Sequence, residues 1–404
     1  MRENTLRKKD ILKLIDGLDI SPTMFKNATE KYKMIGLYLQ ASGLECDIFP
    51  QGSFSIGTVV RPYRQSKEYD YDLDFVCCIN KNKNEVMPKN IKNIVKDILC
   101  ESEYYRDALL DIEWDKCWTL EFPEIGGVGF NVDIVPGVPE SNDIIDIMIS
   151  DDLPQEQAEL AVAITNKIGE EYSWQTSNPR AYKEWFENIN KPFLEYNREN
   201  RRQALLEKCI HVYNTVEEIP EGLERSSLQR VIQMLKHHRD VYYCRINRED
   251  LKPTSAIITT LCTQIAKDIN PELNVFELLT EIVRDFEIYS QNQIITESEF
   301  SSKYKGKNII KKIDGEWYID NPVNKFDNLA DSWNDGSGKA AAFFKWVADV
   351  KHDFLDSLNM DDNDFVALLE NNFGRDYVKH SIDLGEYNSG TAKIITNTPK
   401  PWSE

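Results

Sequence analysis

The chain predicts an α/β or α+β unit built on a mixed sheet, followed by a helical unit with a ligand cleft between the two. Three observations carry this. Residues 69–79, YDYDLDFVCCI, alternate acids with apolar residues at period two and then run apolar without a break. That pattern belongs to a strand that starts half-exposed and ends buried on both faces. Residues 129–138, GFNVDIVPGV, form a second apolar strand carrying one acid, Asp133. Beyond about residue 160, apolar residues recur at three and four, the spacing of helices, as in SSLQRVIQMLKHHRDVYY and NVFELLTEIVRDFEIYSQ.

Each element has its own local reason. The N-terminal stretch MRENTLRKKDILKLIDG reads as helix and lacks the apolar core of a signal peptide. Ser21-Pro22 places a capping serine before a proline at the first helical position, and Phe25, Ala28, Tyr32, Ile35 and Leu39 follow at helical spacing as far as Ser42-Gly43. CDIFPQGSF is a short strand entering a Gly-Ser loop, and Lys89 to Leu99 is a helix. Gly126-Gly127 is a turn between strands. In NIIKKIDGEWYIDNP, Asp314-Gly315 between alternating runs predicts a hairpin inside the helical half. AAAFFKWVADVKHDFLDSL and DDNDFVALLENNF are the last helices, and the tail after Glu386 reads as irregular. The boundary is expected near residue 160, dividing 1–160, a catalytic core that includes the N-terminal helices, from 161–404, a helical domain completing the cleft.

Composition narrows the partners. The 404 residues include 41% hydrophobic and 29% charged residues, ordinary for a globular chain with a sizeable core. With 68 acidic against 48 basic residues the formal charge is -20, a field that repels DNA and long RNA. Eight scattered cysteines without a CxxC pair, and no apolar run of membrane-spanning length, predict a reduced, soluble, cytoplasmic protein with no membrane partner.

The chemistry concentrates in Gly52–Phe75 and Asp133. A row of carboxylates on one face of a largely buried strand is costly unless cations neutralise it. Asp72, Asp74 and Asp133 together suit a pair of hard divalent ions, Mg²⁺ first, which activate a hydroxyl, neutralise a triphosphate and stabilise a leaving pyrophosphate. Glycine at 52 permits close approach of backbone to phosphate, and the Ser53 hydroxyl donates to it. Because three aspartates alternate, Asp70/Asp72 is an alternative to Asp72/Asp74; the latter is preferred because the apolar run LDFVCCI follows it directly.

These residues resemble the polymerase-β-like nucleotidyltransferases, in which a GS step, a loop, a D-x-D strand and a later third acid recur. GSFSIGTVVRP, EYDYDLDFVC and VDIVPGVP are similar to the core of the CD-NTases, the cyclic-GMP-AMP-synthase-like and DncV-like enzymes of bacterial anti-phage systems. SNPRAYKEWF, SLQRVIQMLKHHRDVYY, KPTSAIITTL and the NPV at 321–323 with Trp333 extend the resemblance over about residues 50–335. It implies an α+β fold with the active site in the cleft. It also implies two Mg²⁺ ions, with Mn²⁺ as a possible substitute, on Asp72, Asp74 and Asp133, and triphosphate binding by Gly52, Ser53, Lys236 and Ser255. The activity implied is condensation of NTPs (ATP, GTP or both, with pyrimidines possible) into a cyclic di- or trinucleotide messenger. A separate effector would read the product, and a regulatory protein is a possible further partner.

The residues themselves leave other readings beside these. Lys236 is alternatively a solvated helix charge, and Ser255 a helix cap. Tyr182, Trp185 and Tyr242 are the candidates to stack on a base, against ordinary core aromatics. His237 and His238 point in different directions and do not predict zinc, while Arg61 and Arg64 either meet phosphate or are solvated. The alternatives to cyclisation are transfer to a macromolecular acceptor, by RNA tailing or protein modification, and a non-catalytic nucleotide-binding module. The charge opposes an RNA acceptor, and acids at all three metal positions oppose the second.

Overall fold

A computed structural model describes residues 2–19, 21–60, 63–64, 67–68, 71–125, 128–208 and 224–387. Helices α1 (Arg2–Asp16) and α2 (Pro22–Ala41) precede β1 (Cys46–Gln51), the single turn α3 (Gly52–Ser55), a small hairpin of β2 (Tyr63–Arg64) and β3 (Lys67–Glu68), and β4 (Tyr71–Ile79). Then come α4 (Pro88–Glu101), α5 (Glu103–Ala108), β5 (Trp118–Ile125), β6 (Val128–Pro139), α6 (Asn142–Ser150), α7 (Gln155–Ala158), β7 (Val162–Ile168) and β8 (Glu171–Ser177). The helical half holds α8 (Pro179–Lys208), α9 (Ser227–Arg245), α10 (Ser255–Ala266), α11 (Val275–Tyr289) and α12 (Glu297–Lys303). Strands β9 (Ile310–Ile313), β10 (Glu316–Asn321) and β11 (Asn324–Asn328) follow, then α13 (Lys339–Phe354), α14 (Asp362–Phe373) and α15 (Arg375–Ser381).

Among the described residues, β1, β4, β6, β7 and β8 lie side by side in that order, with β5 also paired to β6. The β4–β6 pair is parallel and the others antiparallel, so the sheet is mixed. Alternation sends Leu73, Phe75, Cys77, Val132 and Ile134 into one core, which α2 and α4 cover with Ala28, Ile35, Leu39, Ile91, Val95 and Leu99. The expected start of α2 is there: the Ser21 Oγ accepts from the Met24 N–H at 3.2 Å, ahead of Pro22. The sheet runs on past residue 160, to Ser177, because β7 pairs with the end of β6 from Gly137 onward.

A second core gathers the helical half around α9, most of whose residues are buried. Its start is locked by a capping box between Ser226 and Gln229. The N-terminal helix joins this core, not the sheet with which the sequence reading grouped it. Ile11, Leu14, Ile15 and Leu18 pack among Leu228, Val231 and Leu235, and Arg225 and Arg230 pair with Asp19 at 3.1 Å. At the other end of α1, Arg7 donates to the Met360 carbonyl and pairs with Asp362, both at 2.6 Å. These partners lie more than two hundred residues away in sequence, where helical periodicity carries no information about them. The Asp314-Gly315 hairpin is present, with φ of 51° and 90° at its two central residues, as a tight primed turn requires; β11 adds a third strand that the sequence reading did not contain.

Candidate active site

The acid face is a product of strand alternation. With Leu73 and Phe75 turned into the core, Asp74 lies on the opposite face, shared further along with the buried Val76 and Cys78. On β6 the same rule places Asp133 and Val135 opposite Val132 and Ile134. The parallel register then sets Asp74 directly beside Asp133, and Asp72 beside Asn131. The side chain of Asp72 and all of Asp70 lie outside the described residues, so Asp72 is located by its backbone register alone. Among the described residues no three His, Cys, Asp or Glu side chains gather as a cation cluster.

Asp133 is held from the third strand. Thr119 on β5 is its register partner, and the Thr119 hydroxyl donates to Asp133 Oδ1 at 2.5 Å. Burial raises the Asp133 pKa above the usual carboxylate value, partly offset by hydrogen bonds from Thr119 and Cys117. Burial, reinforced by the Asp133 charge, pushes the Cys117 thiol up to about 12, so it stays protonated and unreactive.

Gly52 is packed against this face. Gln51, the last residue of β1, is the register partner of Asp74, and the chain turns there into α3 with Gly52 at φ +65°. A Cβ at Gly52 would lie 2.5 Å from Asp74 Oδ2, so both conformation and contact call for glycine. The loop that follows is gripped by one face of α9. Gln229 Nε2 donates to the Ile56 carbonyl at 2.8 Å, Gln233 Nε2 to Val59 at 2.8 Å, and Lys236 Nζ to Thr58 at 2.9 Å. Steps of four and three keep these side chains on one stripe of the helix. Gly57, at φ +67°, belongs to the same contact: a Cβ there would stand 2.6 Å from Gln229 Nε2. Sequence reasoning found Lys236 but missed both glutamines; the available signal was polar residues recurring at three and four within a helix otherwise apolar enough to be buried.

Lys236 is not a solvated helix charge, being 6% exposed. Burial, with the neighbouring Arg239 cation, lowers its pKa to about 7 against the opposing pull of Asp240 and Asp74. It lines a cleft of about 230 Å³ together with Gly52, Ser53, Tyr182, Ser255 and Asp327. All four residues that the resemblance assigned to the triphosphate therefore border one cavity. Asp74 and Asp133 are not in its lining; Asp74 adjoins it through Gly52. Ser255 is the first residue of α10 and not its cap, which is Thr254; the Ser255 Oγ accepts from Arg239 Nη1 at 3.0 Å.

The aromatic candidates separate. Tyr182 borders the cleft and its hydroxyl meets Thr260 Oγ1 at 2.8 Å, whereas Trp185, tilted against it at 5.2 Å, borders a different cavity of about 810 Å³. Tyr242 is a core residue, 4% exposed and stacked on His238. Trp346 Nε1 donates to His238 Nδ1 at 3.0 Å, so the Nε2 proton of a neutral His238 goes to Asp353 Oδ2 at 3.0 Å. His237 is likewise structural, at 2.9 Å from the Asn372 carbonyl through Nε2. Arg61 and the side chain of Arg64 lie outside the described residues.

Comparison with known proteins agrees with this geometry. Residues 46–135 match the family described as Cyclic GMP-AMP synthase DncV-like, nucleotidyltransferase domain. A c-di-GMP synthase from Roseivirga ehrenbergii is 27% identical over 381 residues, covering 91% of this chain and 85% of its own. The fold is similar to that of the Bradyrhizobium diazoefficiens CD-NTase CdnG, solved in complex with GTP, with a TM-score of 0.64 at 16% identity over 96% of this chain and all of that one. It is also similar to Vibrio cholerae DncV cyclic AMP-GMP synthase, with a TM-score of 0.50 at 12% identity over 95% and 90% of the two chains. Among the described residues no helix is long and apolar enough to cross a membrane. With the Gly-Ser turn seated on the acid strand, the segment that matches the DncV-like nucleotidyltransferase domain spans both, and the chain as a whole is similar to a c-di-GMP synthase.

Proposed function

We propose that the chain condenses two NTPs into a cyclic dinucleotide in two successive transfers. In each, a ribose hydroxyl attacks an α-phosphorus, the bond to pyrophosphate breaks, and the hydroxyl proton is lost. The observation that supports this reading best is the position of Asp74, which adjoins Asp133 by strand register and Gly52 by contact. That arrangement brings a phosphate-approachable turn against the acids and also favours Asp74 over Asp70 as the partner of Asp72.

The residues suit divalent cations. Asp133 is a partly buried carboxylate with no cationic side chain paired to it among the described residues, and a second carboxylate stands beside it. Asp72, Asp74 and Asp133 would hold two Mg²⁺ ions, or Mn²⁺ in their place, which lower the pKa of the attacking hydroxyl and offset the charge of the leaving pyrophosphate. The chain's own groups bind and orient. The Ser53 hydroxyl and the Lys236 ammonium engage phosphate oxygens, Gly52 lets the backbone come close, Ser255 lies beside them, and Tyr182 offers a ring to a base. The biological role we propose, from the family likeness, is cytoplasmic signal synthesis in bacterial anti-phage defence, with a separate effector that reads the product.

The test is incubation with all four NTPs and Mg²⁺ or Mn²⁺, followed by phosphatase treatment and mass spectrometry. A phosphatase-resistant product from the wild type, lost in the Asp74→Asn/Asp133→Asn double variant, is expected. Product formed equally by the double variant would remove the acid face from the reaction.

A further inference from the structure

The start of α10 supplies part of the small cleft's wall, where Ser255, Ala256 and Thr259 border it together with Lys236. The Thr254 hydroxyl already caps this helix by accepting from the Ile257 N–H at 3.4 Å, so the Ser255 hydroxyl is not needed there. A serine hydroxyl carries one proton to donate and two lone pairs to accept with. Ser255 Oγ accepts from Arg239 Nη1 at 3.0 Å, and among the described residues no group accepts its proton.

Arg239 is built into the fold from several sides. It lies three residues after Lys236 on α9 and is 5% exposed. Its Nε and Nη2 meet Asp240 Oδ1 at 2.9 and 2.8 Å, and Nη1 donates to the Pro253 carbonyl at 3.1 Å as well as to Ser255. Lys252 Nζ holds the same Asp240 oxygen at 3.2 Å. The guanidinium thus ties α9 to the residues on either side of the Thr254 cap, and its planar fork fixes the direction of the Nη1 bond. Arg239 itself does not line the cleft. A guanidinium has no lone pair to offer, so it cannot take the Ser255 proton and leaves that proton to point elsewhere.

We propose that Arg239 is a positioning residue, which occupies a lone pair of the Ser255 hydroxyl and so aims the hydroxyl proton into the cleft, at a phosphate oxygen of the bound nucleotide. The inference rests on the nucleotidyltransferase reading above. Its physical basis is that an untethered serine hydroxyl rotates and competes for nearby backbone carbonyls, which takes its proton away from a ligand. A hydroxyl that accepts from a cation is both fixed and polarised, and so becomes the stronger donor. A phosphate oxygen then completes the chain with a charge-assisted bond. Asp240 already offsets the Arg239 charge, so what Arg239 gives the ligand is direction and polarisation more than net attraction.

Calorimetric binding of α,β-methylene ATP and α,β-methylene GTP with Mg²⁺ tests this without turnover, since neither analogue can release pyrophosphate. Ser255→Ala is expected to weaken binding to the wild type roughly tenfold, the effect of one hydrogen bond to a charged group. In an Arg239→Met background the same change should cost less than about twofold, because the hydroxyl is no longer aimed. Arg239 also acts on its neighbour Lys236, but that influence is common to both backgrounds and cancels in the double-mutant cycle. A merely structural role would weaken binding in both backgrounds and leave the cost of Ser255→Ala unchanged. If Arg239→Met does not fold, Arg239→Lys, which keeps the charge beside Asp240 and loses the planar fork, must also shrink that cost. An equal cost in the two backgrounds, or no cost of Ser255→Ala in the wild type, overturns the positioning role and leaves the nucleotidyltransferase reading standing. No binding of either analogue to the wild type overturns both.

Discussion

Two cavities flank α10, and they differ in what their charges already have. The larger, of about 810 Å³, is bordered by Trp185 and the far end of α10, and three of the four cations in its lining, Lys267 being the exception, carry their own acids. Lys307 pairs with Asp285 and Lys311 with Asp320, each at 2.5 Å, and Arg284 pairs with Glu281. The smaller, of about 230 Å³, is bordered by Tyr182, one turn earlier on α8, and by the near end of α10. Its lysine, Lys236, is bonded among the described residues only to the Thr58 carbonyl and is kept short of its ordinary pKa by burial. Size is therefore a poor guide to function here. A cavity whose charges are mostly neutralised by one another offers little to an anion, whereas a desolvated cation gains most from one.

The largest blow to the small cleft should come from Gly52→Ala. The new Cβ meets Asp74 Oδ2 at 2.5 Å and the φ of +65° disfavours it, so the carboxylate must move. A displaced acid of this kind is expected to lower kcat roughly a hundredfold in a steady-state product assay. The thermal midpoint should fall by only a few degrees, from the strained φ, because the contacting atom is the end of a side chain. An unchanged kcat would remove Asp74 from the reacting geometry.

Lys236→Met tests the electrostatic side of the comparison at an intermediate scale. KM for the nucleotide is expected to rise roughly tenfold, the effect of one charged hydrogen bond. Phosphate beside Lys236 raises its pKa, so nucleotide binding at about pH 8 should take up a proton, measurable by calorimetry in buffers of different ionisation enthalpy. The folded pKa of about 7 lies below the ordinary 10.5, so the unfolded chain binds the extra proton between those values. Stability of the free protein should therefore rise with pH across that window, and Lys236→Met should lose that slope in denaturant titrations. A slope identical in both proteins would show that Lys236 is already charged when folded.

The smallest effect belongs to the larger cavity. Lys307→Met and Lys311→Met are expected to leave nucleotide affinity within about twofold, because partly exposed ion pairs contribute little and neither lysine borders the cleft. A larger loss would mean that the two cavities are coupled through α10.

Much of the site was legible because its determinants are local. Asp74 shows as one of the acids at period two against apolar neighbours, Asp133 as a lone acid in an apolar strand, and Gly52 as a glycine entering an acid strand. Lys236 and Ser255 came through resemblance and do border the same cavity as Gly52 and Ser53. Arg239 carried no such signal. It is one of 48 basic residues, and only its bond to Ser255 distinguishes it from an ordinary helix arginine.

By itself the sequence determined the mixed sheet followed by helices, the hairpin at Asp314-Gly315 and the face on which each acid lies, because a side chain's face follows from strand and helix periods that repeat within a few residues. Only the tertiary structure decided which acids are neighbours, through the parallel register of β4 and β6. It also decided that Gln229, Gln233 and Lys236 grip the loop after Gly52, that Tyr182 borders the cleft while Tyr242 fills the core, and that α1 packs with the C-terminal helices. Those outcomes depend on packing between segments far apart in the chain, which local periodicity leaves unspecified.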